Sequence, residues 1–319
     1  MAGPDPTASW VDLWFLGQPH AIATAVLRGA GEVALVDPGP TPCLERLETG
    51  LGTMGLGLGD VTHILLTHIH LDHAASTGTI VRRHPRVKVL VHARGAVHMA
   101  EPSRLVASAT RLYGARMHEL WGDIEPVPAA SLVALEGTER VAIAGRRLDV
   151  ASTPGHASHH VSYFDSSTGV AYVGDTAGVQ IDAGFLLAPT PPPDIDLRAW
   201  KTSVNDILRW DPASLFLTHF GPGALAPRLH METFVRHLEQ AGARVRAGLA
   251  EPGTDTERAI RFGDEVEREC RRHGNDQTVA SYRAAAPFDL LWPGLARYWR
   301  RQASEREGGL PPGGGDPAG

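Results

Sequence analysis

The stretch that decides the fold is T-H-I-H-L-D-H, residues 67–73, an H-x-H-x-D-H run that follows directly on an apolar segment. The apolar segment predicts a strand, so the run begins where a strand ends. In an extended or tightly turned backbone, alternate residues lie on one side, which brings His68 and His70 toward one point. The next turn can direct Asp72 and His73 toward a second point. Imidazole and carboxylate ligands suit Zn²⁺, and Fe or Mn ions also accept them. The alternative is a solvated histidine-rich turn.

Three later residues extend this candidate metal site. His156, Asp175 and His219 each come just beyond the end of a predicted strand. Layered α/β folds place their chemistry in such loops. Each of the three, taken singly, has an ordinary alternative as a loop residue. Together with the run at residues 67–73, they form a candidate ligand set that is spread over most of the chain.

The composition describes a folded, acidic protein. The chain has 319 residues, of which 43% are hydrophobic and 21% are charged, and this balance excludes a disordered polyelectrolyte. The net charge of −6, without a long basic run, argues against a nucleic-acid partner. Sixteen histidines stand out, because histidine is the commonest metal ligand.

We expect a cytoplasmic protein without a membrane partner. Residues 1–9 contain neither the cationic region nor the apolar stretch of a secretory signal. No run approaches the ~18 apolar residues of a membrane span. The two cysteines, Cys43 and Cys270, are too few for a disulfide framework and fit a reducing compartment.

Hydrophobic periodicity divides the chain into a layered part and a helical part. Short strand-like runs alternate with helical segments in the first part, which predicts an α/β domain at residues 10–225. We expect a helical C-terminal extension at residues 226–305 and a disordered tail at residues 306–319. Residues 1–9 are also expected to be disordered. One long amphipathic helix is predicted at residues 103–121.

The order of these motifs resembles the metallo-β-lactamase superfamily. After the H-x-H-x-D-H run come T-P-G-H at residues 153–156, G-D at 174–175 and T-H at 218–219, in that superfamily's order and approximate spacing. The segment L-V-D-P-G at residues 35–39 is similar to its early V-D-x-G turn. The resemblance covers about residues 11–223. It implies a four-layer αββα sandwich with metal ions in a cleft at one edge of the two sheets.

The resemblance also implies a ligand set for two Zn²⁺ ions, with Fe or Mn as other candidates. It implies that one ion is held by three histidines, that the second is held by two histidines and an aspartate, and that one aspartate bridges both. In this sequence those positions are His68, His70 and His156 for the first ion, Asp72, His73 and His219 for the second, and Asp175 for the bridge.

The activity implied is that of a zinc-dependent hydrolase that cleaves a small ester or lactone with a hydroxide held between the metals. The pKa of a metal-bound water falls to about 7, so such a hydroxide persists near neutrality. Asp72 and Asp175 are the predicted catalytic residues, with Asp72 placed to pass a proton. Asp37, Thr67 and His160 are predicted to orient ligands by hydrogen bonds. Their alternative role is turn capping and loop packing.

Other branches of the superfamily supply alternative functions. A thioester hydrolase similar to glyoxalase II and a phosphodiester hydrolase use the same fold. Many lactonases place a catalytic Tyr where this chain has Gly178, which weakens the lactonase interpretation. A mononuclear-iron persulfide dioxygenase shares the H-x-H-x-D-H turn, and a non-enzymatic member is the third class. Position 70 is His and not Glu, which disfavours the flavodiiron branch.

The substrate is expected to be a small molecule bound between apolar walls. The helix at residues 103–121 and the loop at residues 178–194 are the segments expected to form those walls. Arginines on that helix are scattered, so we expect no phosphate clamp. The C-terminal aromatic residues are expected either to cover the cleft or to form a contact in a homodimer. The candidate pocket residues are Tyr113, Met117, Phe185 and Leu186, with simple core packing as the alternative.

Overall fold

The N-terminal half of the protein forms the first of two β-sheets. The structure is a computed structural model and describes residues 8–307. The first three strands pair antiparallel, and the next three add in parallel through connections that contain helices. In spatial order the strands are β1 Ala8–Asp12, β2 Ala23–Gly29, β3 Glu32–Val36, β4 His63–Leu65, β5 Lys88–His92 and β6 Leu132–Leu135.

The second sheet follows in the chain and is mostly antiparallel. Four consecutive strands form a meander, the next strand adds in parallel, and a short last strand pairs antiparallel at the edge. The strands in chain order are β7 Arg140–Ile143, β8 Arg146–Ser152, β9 Val161–Asp165, β10 Val170–Tyr172, β11 Ser214–Leu217 and β12 Gly221–Pro222.

The two sheets pack face to face over a shared apolar core. Ala25 and Leu27 of β2 belong to the same buried cluster as Tyr163 of β9 and Tyr172 of β10. The Tyr163 hydroxyl donates to the carbonyl oxygen of Leu66 at 2.9 Å. This bond ties the second sheet to the residue just before the H-x-H-x-D-H run.

Helices cover the outer face of each sheet. The apolar faces of the helices that precede the second sheet pack on the first sheet, and those that follow residue 196 pack on the second. The predicted αββα sandwich with helices at the C-terminus is therefore confirmed. The helices are α1 Leu44–Thr53, α2 Leu71–Ala74, α3 Thr77–Arg83, α4 Ala93–Ala100, α5 Ser103–Tyr113, α6 Met117–Trp121, α7 Leu197–Arg209, α8 Pro227–Gly248, α9 Asp255–Cys270, α10 Asp276–Ala285 and α11 Leu291–Glu307. Among the described helices, none combines the length and hydropathy needed to cross a membrane.

The structure corrects the helices predicted around residue 100. The single helix predicted at residues 103–121 is two helices, because the chain turns at Gly114, whose φ of 53° is not helical. Sequence analysis missed α4 entirely. This helix contains Gly95, a poor helix former, at a place where a Cβ atom would lie 2.9 Å from the Ile69 side chain. Close packing of α4 on the H-x-H-x-D-H run therefore requires glycine at position 95, and this same glycine makes the helix hard to predict from sequence.

The described strands and helices extend beyond the predicted folded limits at both ends. Ala8 and Ser9 pair with β2, and α11 ends at Glu307, so the disorder predicted at residues 1–9 and 306–319 does not hold at those positions. The other positions of these two segments, residues 1–7 and 308–319, lie outside the described residues.

Candidate metal centre

The H-x-H-x-D-H run forms the connection between β4 and α2. The backbone is still extended at His70, with φ −61° and ψ 148°, and α2 begins at the next residue. Ile69 and Leu71 are buried in the core of the first sheet and its helices. Because neighbouring residues in extended backbone face opposite sides, this anchoring turns His68 and His70 away from that core.

Asp175 lies in a one-turn 3₁₀ helix that follows β10. The preceding residue, Gly174, has φ +46°, and a Cβ atom there would lie 2.5 Å from Thr67 Oγ1 and 2.7 Å from His160 Nε2. A side chain at this position would clash with both neighbours and strain the backbone. Glycine thus lets the Asp175 turn approach the H-x-H-x-D-H run from the second sheet.

Six of the predicted ligands form two adjacent groups at the edge of the two sheets. In the first group the imidazole atoms His156 Nε2 and His70 Nδ1 are 2.8 Å apart. In the second group His219 Nε2 lies 3.4 Å from Asp72 Oδ2. Within each group the ligand atoms lie within 4.8 Å of one another, and the members are His68, His70 and His156 in the first and Asp72, His73 and His219 in the second.

Asp175 lies between the two groups and turns one oxygen toward each. Its Oδ2 is 3.3 Å from His156 Nε2 of the first group. Its Oδ1 is 3.3 Å from His73 Nε2 and 3.5 Å from His219 Nε2 of the second. The structure therefore brings all seven predicted ligands together and places the predicted bridging carboxylate at their centre.

Buried polar atoms without partners show that this cluster fits a metal. Nε2 of His68, His73 and His219 and Oδ1 of Asp175 are buried and form no hydrogen bond within the described part of the chain. Unpaired buried polar atoms are rare and costly in folded proteins, so such atoms that converge on one region indicate a ligand. Imidazole nitrogens and carboxylate oxygens are the donor types that divalent transition metals take.

The electrostatics of the cluster favour added positive charge. Burial, reinforced by the neighbouring His156, lowers the pKa of His70 to about 4, which leaves its ring neutral and able to donate a lone pair. Burial opposes ionisation of Asp175, but the surrounding histidines hold the pKa of this carboxyl well below its usual range. Burial would also lower the pKa of His73, yet the Asp72 and Asp175 carboxylates raise it well above 6.5. The ionised carboxylates thus stabilise a positive charge at this place, and a metal ion that displaces the proton of His73 would supply that charge.

Asp37 holds the second group in position. This fully buried carboxylate accepts hydrogen bonds from the backbone N–H and the hydroxyl of Thr67 at 2.8 and 2.7 Å. It also accepts from the Thr218 hydroxyl at 2.7 Å and lies 2.9 Å from Nδ1 of His73. A carboxylate on Nδ1 fixes the ring orientation and leaves Nε2 free for a metal.

Backbone carbonyls and His160 orient the remaining ligands. Nδ1 of His156 lies 2.9 Å from the Pro189 carbonyl oxygen, and Nδ1 of His219 lies 2.6 Å from that of Ala21. The backbone N–H of Asp175 donates to His160 Nε2 at 3.3 Å. The three predicted orienting residues, Asp37, Thr67 and His160, thus all contact a ligand or its backbone.

Comparison with known proteins decides the family. The profile of the metallo-beta-lactamase superfamily matches residues 17–219, more than half of the chain and all seven candidate ligands. The chain belongs to this superfamily. The range that matches ends within the second sheet's last turn, so helices α8 to α11 lie outside it.

Relatives of this superfamily member include proteins with and without a named activity. A metallo-beta-lactamase fold-containing protein of Sulfurisphaera tokodaii is 27% identical over 187 residues, 57% of this chain and 67% of its own. A hydroxyacylglutathione hydrolase of Pseudomonas fluorescens is 29% identical over 181 residues, 56% of this chain and 51% of its own. This chain therefore spans about half the length of that enzyme. Among solved structures, a metallo-beta-lactamase family protein from Thermus thermophilus has TM-score 0.64 and 25% identity, covering 88% of this chain and 89% of its own.

A cavity of about 470 Å³ lies above the ligand cluster of this metallo-beta-lactamase superfamily protein. His70, Asp72, His156 and Asp175 form its floor. Its walls come from α4, α5, the proline-rich segment before α7 and the connection between α10 and α11. The C-terminal aromatic residues expected to cover the cleft are not among the residues that line it and pack instead in the core beside the second sheet, namely Phe288, Trp292, Tyr298 and Trp299.

Of the four predicted pocket residues, the structure places Tyr113 on the cavity wall. Met117 packs partly buried against the core of the first sheet. Phe185 and Leu186 are buried among the C-terminal helices, where Phe185 packs against Tyr282 with ring centroids 5.2 Å apart. The part of the predicted loop that carries these two residues faces the helical extension, where apolar partners lie. The later part of the same loop, residues 189–194, contributes to the cavity wall.

Several wall residues were not found by sequence reasoning. His159 lines the cavity, and its run with His156 and His160 was the signal that could have singled it out. Burial lowers the pKa of His159 to about 3, so its ring is neutral. Arg94 and His98 come from the unpredicted helix α4. Residues 284–291 belong to the C-terminal helices, whose contact with the cleft has no local sequence signal.

Proposed function

We propose that this chain is a hydrolase that uses two zinc ions to cleave a small ester or lactone. The observation that carries the proposal is the placement of Asp175, whose two carboxylate oxygens face separate ligand groups. A carboxylate in that position suits two ions, since one ion would leave the ligands on one side unused. The apolar portions of the cavity walls support a small organic substrate.

The proposed ligands form two sets, one for each metal ion, with one residue common to both. His68, His70 and His156 would hold the first ion, Asp72, His73 and His219 the second, and Asp175 both. When bound, such ions supply Lewis acidity, which lowers the pKa of water toward about 7 and polarises a carbonyl group.

Asp72 is the residue placed to move a proton. Its side chain is 20% exposed, whereas that of His73 beside it is fully buried, and it lines the cavity floor. Burial opposes ionisation of Asp72, but the neighbouring His73 and His219 hold the pKa of this carboxyl below its usual value. An ionised carboxylate on the cavity floor can accept a proton from water and return it to a leaving group.

The cavity offers poor protein nucleophiles, which supports attack by water. The Ser158 hydroxyl donates to Asp194 at 2.6 Å. Burial opposes ionisation of Asp194, but the hydrogen bonds from Ser158 hold the pKa of this carboxyl below its ordinary value, so it is a weak base for activating the hydroxyl. Burial raises the pKa of Cys43 to about 12 and that of Cys270 to about 11, and neither thiol lines the cavity. Burial also raises the pKa of Tyr113 above its usual range. None of these groups is poised to form a covalent intermediate.

Thioester hydrolysis is the second candidate. It is favoured by the similarity to proteins named hydroxyacylglutathione hydrolase, which are 29% identical to this chain over the matched residues. Those matches cover about half of each relative, so the similarity concerns the shared catalytic domain.

Metal content and turnover test the proposal together. Protein purified without chelator should contain two zinc ions per chain by elemental analysis, and chelation followed by zinc should abolish and restore turnover. An equal-concentration panel of a lactone, an aryl ester, a thioester and a phosphodiester should show the lactone or the aryl ester cleaved fastest. One iron per chain, or turnover of the phosphodiester alone, would contradict the proposal. Preference for the thioester would select the second candidate.

A further inference from the structure

The cavity is lined by basic side chains from two helices. Arg94 and His98 are four residues apart on α4, a spacing that places both on one face, and both line the cavity. Arg104 lines the cavity from the first turn of α5. The sequence suggested only scattered arginines on one helix. The fold instead places Arg104 in the lining of the same cavity as two basic residues of the helix that sequence analysis missed.

Arg94 and Arg104 have no acidic partner of their own. Within residues 8–307, neither forms an ion pair with a carboxylate, and the polar contact of Arg94 is a long one, 3.4 Å from Nη1 to the Ser158 carbonyl oxygen. By contrast, Arg116 at the start of α6 pairs with Glu119 at 3.2 Å. Two exposed guanidinium groups in the cavity lining are therefore available to an anion from solution.

The charge balance of the cavity walls suits a single negative charge. Asp194 is the carboxylate that lines these walls, and its Oδ2 accepts from the Ser158 hydroxyl at 2.6 Å. The two guanidinium groups and the Asp194 carboxylate sum to one positive charge. A monoanion such as a carboxylate balances that charge, whereas a phosphate dianion would exceed it.

The other end of the α5 wall is apolar. Tyr113 is nine residues after Arg104, about 13 Å along a helix that rises 1.5 Å per residue. Its ring packs edge-on against Trp121, with centroids 5.1 Å apart. Leu290 of the C-terminal connection also lines the cavity. The ligand cluster forms the floor beneath these walls. A substrate whose scissile bond lies over the floor can therefore contact basic and apolar side chains of the same cavity.

We propose that the substrate is a carboxylate-bearing ester whose carboxylate binds Arg94 and Arg104 while its apolar part lies against Tyr113 and Trp121. This inference rests on the proposed ester hydrolysis, because it names the substrate class of the same site. Arg–carboxylate hydrogen bonds are charge-assisted and directional, so the pair selects for the anion and for its orientation over the floor.

Two esters of equal length test the selection. In the zinc-loaded full chain, 4-nitrophenyl hydrogen adipate and 4-nitrophenyl hexanoate differ at the far end of the acyl chain, where one carries a carboxylate and the other a methyl group. We expect kcat/KM for the adipate ester to be about tenfold higher at low salt, and this preference should shrink as salt is added.

Three matched variants assign the effect to the basic residues of the cavity. Arg94→Gln and Arg104→Gln should each raise KM for the adipate ester about threefold or more, and the double variant about tenfold, with the hexanoate ester unchanged. Arg111→Gln is the control, since Arg111 is an exposed arginine of the same helix that does not line the cavity. Its kinetics should match those of the wild type on both esters.

Binding of adipate, followed by calorimetry, separates this inference from the proposed function. Weaker binding in the double variant with no turnover of either ester would support the anion site and refute ester hydrolysis. Equal turnover of both esters, unaffected by Arg94→Gln and Arg104→Gln, would refute the inference and leave the hydrolase standing. Stronger competitive inhibition by inorganic phosphate than by adipate would overturn the choice of a carboxylate.

Discussion

The floor and the walls of the cavity come from different kinds of structure. The floor takes its ligands from turns that follow β4, β8, β10 and β11, and most of these side chains are buried and hydrogen-bonded. The walls come from α4, α5 and residues 284–291, and they include exposed side chains such as Arg94. Rigid sheet ends hold a fixed arrangement, whereas helices on the surface can change without disturbing it.

The family match covers the floor and part of the walls. Every ligand lies within residues 17–219, whereas residues 284–291 lie outside that range. The range matched by the superfamily therefore contains the metal centre together with the walls from α4, α5 and residues 189–194, and the wall from residues 284–291 lies outside it. We infer that chemistry resides in the floor and selectivity in the walls, and substitutions in each should have different kinetic signatures.

The largest effect on metal content and kcat is expected from substitution of the bridging carboxylate, Asp175. Asp175→Asn keeps the side-chain size but removes the charge and one of the two ligand oxygens. We expect the variant to bind about one metal fewer and to lose about a thousandfold or more in kcat. Elemental analysis and initial rates on the best ester of the panel measure both quantities.

A matched substitution in the wall serves as the control for Asp175→Asn. Asp194→Asn changes another cavity carboxylate, and the amide oxygen can still accept from the Ser158 hydroxyl. Its metal content and kcat should stay near those of the wild type. Equal losses in the two variants would remove the distinction between floor and wall.

The next largest effect, on metal affinity, is expected from substitution of Asp37, which lies beneath the cavity floor. Asp37→Asn replaces a carboxylate that accepts several hydrogen bonds with an amide that has one acceptor oxygen, and it leaves Nδ1 of His73 without its anionic partner. Partners of this kind are worth about 10–100-fold in metal affinity. Zinc competition with a chromogenic chelator measures this affinity. Unchanged affinity would mean that backbone geometry alone positions His73.

The metal centre could be predicted from sequence because its ligands lie in short motifs. The turn that contains His68 and His70 follows directly on one strand, so local spacing determines which atoms can meet. Asp175 and His219 are also close to strand ends, where layered folds collect functional groups. The local pattern left an ordinary loop role open for Asp175 and His219, and the resemblance to the superfamily completed the ligand set.

The walls could not be predicted because they depend on long-range packing. Phe185 and Leu186 have the apolar character of a pocket wall, but the C-terminal helices bury them on the other side of their loop. Gly95 is typical of a helix break, although it sits in α4 for close contact with Ile69. Amino-acid type alone carries no information about which of two apolar surfaces a loop will choose.

A smaller effect is expected from the wall contributed by the C-terminal helices. Leu290→Ala removes apolar contact at the cavity, so KM for an apolar ester such as 4-nitrophenyl hexanoate should rise about two- to fivefold with little change in kcat. Leu229→Ala is the control, because Leu229 is 52% exposed on α8 and does not line the cavity. A fall in kcat with unchanged KM would show that Leu290 affects the chemical step, as the floor residues are expected to do.

The smallest effect is expected at a hydrogen bond between helix α8 and the turn that carries Asp175. His230 of α8 is buried, and its Nε2 donates to the carbonyl oxygen of Ala177, in the turn that carries Asp175. Burial lowers the pKa of His230 below 6.5, so its ring is neutral in the folded protein. In the unfolded chain the same ring takes up a proton below about pH 6.5. The unfolded state then binds more protons, and the free energy of unfolding falls as the pH is lowered below about 6.5.

His230→Gln should remove that contribution, because the glutamine amide can still donate to Ala177 but does not titrate. Between about pH 7.5 and 5.5 the free energy of unfolding should fall less steeply in the variant than in the wild type, by at most about 1.4 kcal/mol per pH unit. Denaturant unfolding of both proteins with chelator present measures the two slopes without a contribution from metal loss. Parallel slopes would show that protonation of His230 does not weaken the contact. A lower kcat of the zinc-loaded variant near neutral pH would show instead that α8 takes part in positioning Asp175, so that the helical extension serves the floor as well as the walls.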